Sequence, residues 1–467
     1  MAHGDIPREL DPKALVQYLT VECVPGSRSI LTHVHKLPAA HVAVLDPNGF
    51  RLHRYWELPA PTPAHGHDRT ESEAADELRE LLDRAVKKRL VADVPVGVFL
   101  SGGVDSTTIT ALAARHKQPL STFSIGFSEG SFDESPFAQL AADRIGTDHH
   151  SERLSGRACV DLLPDAVTLL DEPFADPSFL PTLLPSRFTR RSVTVALAGD
   201  GGDELFAGYD PFLAHRPAQF AATLPTFALR ALQRATALLP SRQVNMSVDF
   251  RIKQFLRGVT TSPSLRHQAW IGSLLPAELQ KVLRPEFAEH ATEDVAFEQV
   301  LEDTRRSEAL GVRSGSIDEA LRFYATRYLV DDILVKADRA SMAASLEVRA
   351  PFLDTTVVEF AARLPWQMKL SWTRTKRVLK RALADLVPPE ILARPKKGFG
   401  IPVAAWIRGP LRPLFEDLFS PDSLTRSGIF DPPPTRLLLD RHLANQADLR
   451  KPLWTLAMFL LWQRHWL

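Results

Sequence analysis

The sequence contains little cysteine and no excess of charge of either sign. Its 467 residues include only Cys23 and Cys159, too few for a disulfide framework and without the paired spacing of a zinc site. The 56 basic residues equal the 56 acidic ones, so an electrostatic nucleic-acid partner is not expected. We therefore expect a protein of the reducing cytoplasmic compartment that does not bind nucleic acid.

Long hydrophobic runs are also lacking. The most apolar run, 452–462, is far shorter than the roughly 20 residues that cross a bilayer. The first ten residues show no signal-peptide pattern. A membrane location is therefore not expected, and the apolar run predicts a buried C-terminal helix instead.

A proline-rich stretch divides the chain. Residues 59–70 have prolines at alternate positions from Pro59 and no apolar periodicity, which indicates a linker. The preceding segment, 1–58, shows one helix pattern and two strand-like runs, at 11–19, 29–34 and 41–45. Residues 71–467 are predicted to form the main domain.

This main domain changes character near residue 210. Its first part, 71–210, alternates amphipathic helix patterns with apolar runs, which lie at 94–100, 120–127 and 193–198. Alternating helices and wholly apolar strands predict an α/β fold, a parallel sheet with helices on both faces. The second part, 211–467, is predicted to be largely helical.

The most informative motif is Ser101-Gly102-Gly103-Val104-Asp105-Ser106, between an apolar run and a helix pattern. Its glycines let backbone N–H groups approach an anion, and the following helix adds its unpaired N–H groups and positive end. These features predict a phosphate-binding loop. The chain has no G-x-x-x-x-G-K-S/T motif, so the loop is not the type that grips β- and γ-phosphates for phosphoryl transfer. The S-G-G-x-D-S form resembles the pyrophosphate loop of the ATP pyrophosphatases, which cut ATP between its α and β phosphates.

A second motif, LAGDGGDELFAGY at 197–209, places acidic residues among glycines directly after another apolar run. Open α/β sheets bind ligands at the carboxyl ends of their strands, where clustered carboxylates indicate a metal and catalytic edge. The carboxylates at this edge are Asp200, Asp203 and Glu204.

Further motifs occur in the order TFSIGF, SFDESPFA, DEPFADPS, SLEVRAPFLD, RTKRVLKRAL and RPKKGFGIPVAAW. Together with the two glycine-rich motifs, they resemble the synthetase domain of the glutamine-dependent asparagine synthetases over essentially all of 71–467. The resemblance implies an ATP pyrophosphatase fold, also described as adenine nucleotide α-hydrolase-like. It also implies conversion of aspartate to asparagine through β-aspartyl-AMP, with ATP as substrate and release of AMP and pyrophosphate.

The resemblance assigns binding roles residue by residue. It implies that pyrophosphate is held by Ser101, Gly102, Gly103, Asp105 and Ser106, and that the nucleotide is contacted by Leu100, Ile125 and Gly199. Asp105 and Asp203 match the carboxylates that hold Mg²⁺ on the phosphates. Ala198 departs from the serine that is usual in the family, which removes one side-chain contact to AMP.

It also implies catalytic roles. Lys376 matches the lysine that meets charge on the α-phosphate, and Asp200 matches an acidic residue tied to the acyl-adenylate. When an amine attacks that intermediate it must lose a proton, and either Asp200 or Glu204 could accept it, because burial raises the pKa of a carboxylate.

The start of the chain departs from the family. Residue 2 is alanine, where members with glutaminase activity carry a cysteine nucleophile, and 8–57 resemble only the tail of the glutaminase domain. We expect 1–58 to be a remnant of that domain and Cys23 to be a non-catalytic thiol. Ammonia, another amine or a separate glutaminase would then supply the nitrogen. A truncated form of an ordinary asparagine synthetase is favoured over a natural relative without glutaminase. The sequence does not decide whether the protein forms a homodimer.

Three other functions share parts of this pattern. A specialised relative, similar to β-lactam synthetases or lasso-peptide cyclases, would join another carboxylate and amine on the same adenylating core. The motifs barely distinguish such a relative from an asparagine synthetase. An RNA-modifying pyrophosphatase-loop protein is disfavoured by the zero net charge and the lack of a basic arm. A non-catalytic remnant is disfavoured by the retention of Asp105, Asp203 and Lys376.

Overall fold

The computed structural model describes residues 5–62, 69–127, 133–154, 156–237, 248–396, 398 and 400–467. The predicted linker, 59–70, therefore lies partly outside the described residues. The strands are β1 (His41–Asp46), β2 (Gly49–Arg54), β3 (Val96–Phe99), β4 (Ser121–Phe127), β5 (Asp148–Leu154), β6 (Val195–Leu197) and β7 (Glu347–Arg349).

Helices make up most of the remaining described structure. Those up to residue 260 are α1 (Pro12–Val21), α2 (Glu71–Arg89), α3 (Val104–His116), α4 (Ser135–Ile145), α5 (Gly156–Thr168), α6 (Phe179–Arg190), α7 (Gly202–Leu205), α8 (Asp210–Ala221), α9 (Thr226–Ala237) and α10 (Val248–Val259). The next are α11 (Arg266–Ile271), α12 (Pro276–Val282), α13 (Pro285–Ala288), α14 (Glu293–Ala296), α15 (Glu298–Ala309), α16 (Ile317–Phe323), a π-helix (Tyr324–Ile333) and α17 (Leu334–Met342). The last are a 3₁₀ helix (Pro351–Leu353), α18 (Thr355–Arg363), α19 (Trp366–Lys369), α20 (Arg377–Ala382), α21 (Pro389–Ala393), α22 (Val403–Arg408), α23 (Arg412–Leu418), α24 (Pro421–Ser427), α25 (Pro432–Leu443) and α26 (Arg450–Trp466).

The predicted parallel sheet with flanking helices is confirmed. Its strand order is β5-β4-β3-β6-β7, and every neighbouring pair is parallel. Side chains alternate between two apolar layers: Val195 and Leu197 pack in one layer, whereas Ala196 packs in the other with Phe123. Burial on both faces explains why these strands read as continuous apolar runs.

The predicted elements differ from the observed ones in several places. The strand-like run at 29–34 forms isolated bridges, such as Leu10 with Leu31, rather than a strand. The strand β5 was not predicted because it is polar and lies at the edge of the sheet, with one neighbour. Helix α2, which opens the main domain, ends at Arg89, where three basic residues complement the negative end of the helix dipole.

The amino-terminal segment has two contrasting parts. Helix α1 is buried in the same apolar core as the C-terminal helix α26, and the Tyr18 hydroxyl donates a 2.8 Å hydrogen bond to the Thr455 carbonyl. The β1–β2 hairpin is exposed along most of its length. No helix among the described residues is long and apolar enough to cross a membrane.

Candidate active site

A cavity of about 540 Å³ opens at the carboxyl ends of β3 and β6. It brings together most of the residues that the sequence singled out. Those lining it are Leu100, Ser101, Gly103, Asp105, Ser106, Ile125, Gly199, Asp200, Asp203, Glu204 and Lys376. Gly102, in contrast, is buried and does not line the cavity. Its carbonyl accepts a 3.0 Å hydrogen bond from Arg394 Nη1.

The loop 101–106 is folded so that its backbone is exposed to the cavity. Gly102 has φ +69°, and a Cβ there would lie 2.4 Å from the Phe137 carbonyl carbon, so only glycine fits. Ser106 Oγ accepts a 3.2 Å hydrogen bond from the Ser101 N–H, which closes the loop. No side chain caps α3, so its first N–H groups remain available to an anion.

The second glycine-rich segment packs directly against this loop. A Cβ on Gly199 would lie 2.9 Å from the Asp105 Cβ, and one on Gly208 would lie 2.3 Å from the Lys376 Cε. The glycines therefore permit the close approach that gathers the acidic and basic side chains at one point.

Lys376 lies at the centre of that charged group. It is only 4% exposed, and its Nζ is 2.5 Å from both Asp105 Oδ2 and Asp203 Oδ1. Its backbone is left-handed, with φ +55° and ψ 37°, a conformation that costs energy for a residue with a Cβ. The fold thus holds this lysine in a strained position between two carboxylates.

A second lysine, Lys396, was missed as a site residue although its motif RPKKGFG stood out. Its Nζ lies 2.5 Å from Asp203 Oδ2. Burial alone raises the pKa of Asp203, but Lys376 and Lys396 together hold that pKa well below its usual range. The Asp203 carboxylate is therefore ionised and forms ion pairs with the two lysine side chains.

The carboxylates further along the cavity have raised pKa values. Burial and the charge of Asp203 together raise the pKa of Glu204 to about 7, although the hydrogen bond that the Tyr209 hydroxyl donates to Glu204 Oε1 lowers it. Burial also raises the pKa of Asp200, which the charge of Lys336 partly offsets. Glu204 is therefore suited to exchange a proton near neutral pH.

The site fits a cation that is held partly by phosphate. No group of three or more His, Cys, Asp or Glu side chains among the described residues could hold a metal ion. However, Asp105 Oδ1 is buried without a hydrogen-bond partner among the described residues, and Asp203 lies across Lys376 from it. Proteins bind Mg²⁺ through one or two carboxylates together with substrate phosphates, which matches this pair.

The opposite end of the cavity contains charges that the sequence did not connect with the site. Lys336 Nζ lies 2.7 Å from Asp176 Oδ2, and Lys451 Nζ lies 2.5 Å from Glu22 Oε2. All four residues line the cavity with Asp332. Their separation along the chain, from α1 to α26, explains why no local motif revealed them.

A family model described as asparagine synthase matches residues 77–464 of the chain. The chain is also similar to a Mycobacterium tuberculosis protein named "Putative asparagine synthetase (glutamine-hydrolyzing)". The two are 34% identical over 460 residues, which cover 97% of this chain and 67% of the relative.

Other relatives carry different names. The Bacillus subtilis protein "Asparagine synthetase (glutamine-hydrolyzing) 1" is 29% identical over 463 residues, covering 99% of this chain and 70% of the relative. The Penicillium rubens protein "Amidase chyE" is 27% identical over 467 residues, covering 93% of this chain and 68% of the relative.

Proposed function

The chain belongs to the asparagine synthase family of ATP-dependent carbon–nitrogen ligases, and we propose that it makes asparagine from aspartate through β-aspartyl-AMP. One observation carries the proposal: Lys376 and Lys396 converge on Asp105 and Asp203 beside the loop 101–106. This arrangement places cations, carboxylates and free N–H groups where the phosphates of ATP would lie.

In the first step, a β-carboxylate oxygen of aspartate attacks the α-phosphorus of ATP. The bond between that phosphorus and the oxygen bridging to the β-phosphate breaks, and pyrophosphate leaves. The N–H groups of the loop and of α3 hold the departing pyrophosphate, and Lys376 and Lys396 offset its charge. The rigid loop also fixes the α-phosphorus next to the attacking oxygen.

Asp105 and Asp203 are the residues that would hold Mg²⁺ on the phosphates. The ion, when bound with ATP, supplies further neutralisation of phosphate charge. Because Lys376 already joins the two carboxylates, their positions are set before any ligand enters.

In the second step, the nitrogen of ammonia attacks the acyl carbon and AMP leaves. The attacking nitrogen must lose a proton, and Asp200 and Glu204 both line the cavity with raised pKa values. We assign the proton to one of these two carboxylates. Amide formation at the normal rate in both Asp200→Asn and Glu204→Gln would contradict that assignment.

Ammonia is the proposed nitrogen donor for this chain. Cys23 is the cysteine whose side chain the structure describes, and it is buried, with burial raising its pKa well above the usual value. A buried neutral thiol is a poor nucleophile toward glutamine. A separate glutaminase could deliver ammonia to the same site.

The second candidate is amide formation on another carboxylate and amine. The similarity to a fungal protein named as an amidase supports it, because that relative aligns over 93% of this chain. The charged loop would serve any carboxylate that is activated by adenylation.

The test is exchange of labelled pyrophosphate into ATP with aspartate as the added carboxylate. We expect aspartate-dependent exchange, followed by amide formation with ammonium chloride and none with glutamine. Exchange that requires a different carboxylate would favour the second candidate. Amide formation from glutamine by this chain would contradict ammonia dependence.

A further inference from the structure

A π-helix forms one wall of the cavity. It spans Tyr324–Ile333 and continues into α17. Tyr328 and Asp332 of the π-helix and Lys336 of α17 line the cavity. Such helices are rare and usually occur as short segments at functional sites. The wall lies beyond the loop 101–106 and Lys376, on the side where Asp200 meets the charge of Lys336.

Charged side chains line two parts of the cavity. Near the loop, the basic side chains Lys376, Lys380, Arg394 and Lys396 lie among the carboxylates Asp105, Asp203 and Glu134. At the π-helix end, three carboxylates meet two lysines: Lys336 pairs with Asp176, and Lys451 pairs with Glu22. The third carboxylate, Asp332, forms no ion pair with a lysine among the described residues, although the charge of Lys336 acts on it.

Asp332 also has an unused hydrogen-bonding atom. The residue is 5% exposed, yet its Oδ1 has no hydrogen-bond partner among the described residues. A buried carboxylate oxygen without a partner carries a large desolvation cost, so a ligand that donates hydrogen bonds is favoured there. A positively charged donor also favours the ionised form of this carboxylate.

We propose that Asp332 is the specificity residue that binds the α-ammonium group of the amino-acid substrate. The inference rests on the proposed function, in which the reacting carboxylate lies at the α-phosphate. An amino acid bound across the cavity then directs its reacting carboxylate to the basic side chains near the loop and its ammonium group to Asp332. Asp332 thus selects a substrate that carries an ammonium group over a simple dicarboxylate.

The groups that face Asp332 are consistent with this role. Burial raises the pKa of Asp332, and the neighbouring charges of Asp176 and Glu22 raise it further, whereas Lys336 lowers it. A bound ammonium places a positive charge beside Asp332 and so favours its ionised form.

The experiment compares aspartate with succinate, which has the same two carboxylates and no ammonium. Binding of each is measured by calorimetry in the presence of α,β-methylene ATP, and pyrophosphate exchange is measured separately. The variants are Asp332→Asn and the matched control Asp331→Asn. Asp331 neighbours Asp332 on the π-helix but bonds to the Gly26 N–H, 3.1 Å away, and does not line the cavity.

We expect the wild-type protein to bind aspartate far more tightly than succinate. Asp332→Asn should lower aspartate affinity about tenfold to a hundredfold, the usual value of a hydrogen bond between charged groups. It should leave succinate binding unchanged, which also reports that the variant is folded. Asp331→Asn should leave both affinities unchanged. If Asp332→Asn does not fold, the variant Asp332→Glu, which moves the charge by one methylene, should reduce the ratio of aspartate affinity to succinate affinity.

An unchanged preference for aspartate over succinate in a folded Asp332 variant would overturn the proposal. So would a variant whose only defect is a higher KM for ammonium chloride, because the subsite would then hold the donor. If the preference depends on Asp332 but wild type shows no exchange with aspartate, the subsite stands and the proposed function fails.

Discussion

At the scale of single residues, burial decides the charge state of Glu204. This side chain is 2% exposed, and its pKa of about 7 lies above the usual value of 4.5 because desolvation and Asp203 both disfavour ionisation. The unfolded chain ionises Glu204 above pH 4.5, whereas the folded chain keeps it protonated up to about pH 7. Folding stability from this residue is therefore lost as pH rises through that window.

Glu204→Gln should consequently stabilise the protein at high pH. Glutamine keeps a hydrogen-bond acceptor for Tyr209 and removes the buried charge. We expect a gain on the order of 2 kcal/mol in the free energy of unfolding at pH 8 and almost none at pH 4. Urea denaturation at the two pH values measures it. A gain of equal size at both would contradict the raised pKa.

Single residues differ in how well the sequence predicts their place. The loop 101–106 and Asp200, Asp203 and Glu204 were expected at strand ends, and the structure gathers all of them except Gly102 at one cavity. Lys396 and Asp332 were not assigned, because their neighbours lie far away in sequence. Lys396 meets Asp203 across 193 positions, a distance over which residue spacing carries no information.

At the scale of elements, a buried histidine pair joins α8 to α11. The side chains of His215 and His267 form a 2.9 Å hydrogen bond between Nδ1 and Nε2. Burial and the nearby charge of Arg266 together lower the pKa of His215 to about 4 and that of His267 well below its usual value of 6.5. Both rings are therefore neutral in the folded protein, while the unfolded chain protonates them below pH 6.5.

Stability contributed by this pair should fall as pH drops below 6.5. His267→Gln removes one of the two linked protonations, so its unfolding free energy should fall less steeply than that of wild type. Between pH 6.5 and 5, we expect the unfolding free energy of wild type to fall by about 1.5 kcal/mol more than that of the variant. Chemical denaturation across this range checks it, with other titrating groups common to both proteins. Parallel pH profiles for variant and wild type would refute the buried neutral pair.

Elements with strong local patterns were predictable, whereas those formed by long-range contacts were not. Helix α4, for example, ends where its apolar periodicity does, at Gly146, which takes a left-handed conformation. The strand β7 has only three residues and exists because β6 pairs with it across the chain. The π-helix gives no sequence signal distinct from an α-helix.

At the scale of the whole molecule, contacts join the amino-terminal and carboxyl-terminal parts of the described chain. Helix α1 packs in the core that includes α26, and Glu22, which follows α1, pairs with Lys451 on α26. The assignment of 1–58 to the tail of a glutaminase domain stays a prediction. Within that segment, α1 is buried while the β1–β2 hairpin is exposed.

These two parts should respond differently to the same substitution. Leu15 in α1 is fully buried, so Leu15→Asp should cost at least about 4 kcal/mol and yield little soluble protein. Leu45 in the hairpin is 79% exposed, so Leu45→Asp should change stability by less than about 0.5 kcal/mol. Soluble yield and unfolding midpoint measure both. Equal tolerance of the two variants would show that α1 is not integral to the core.

The central claim is that the substrate carboxylate attacks the α-phosphorus of ATP. The most direct measurement uses aspartate labelled with oxygen-18 in its β-carboxylate, incubated with ATP, magnesium and ammonium chloride. Our account predicts one labelled oxygen in the AMP that is released and none in pyrophosphate. Label in inorganic phosphate, with ADP as the nucleotide product, would mean attack at the γ-phosphorus and would contradict it.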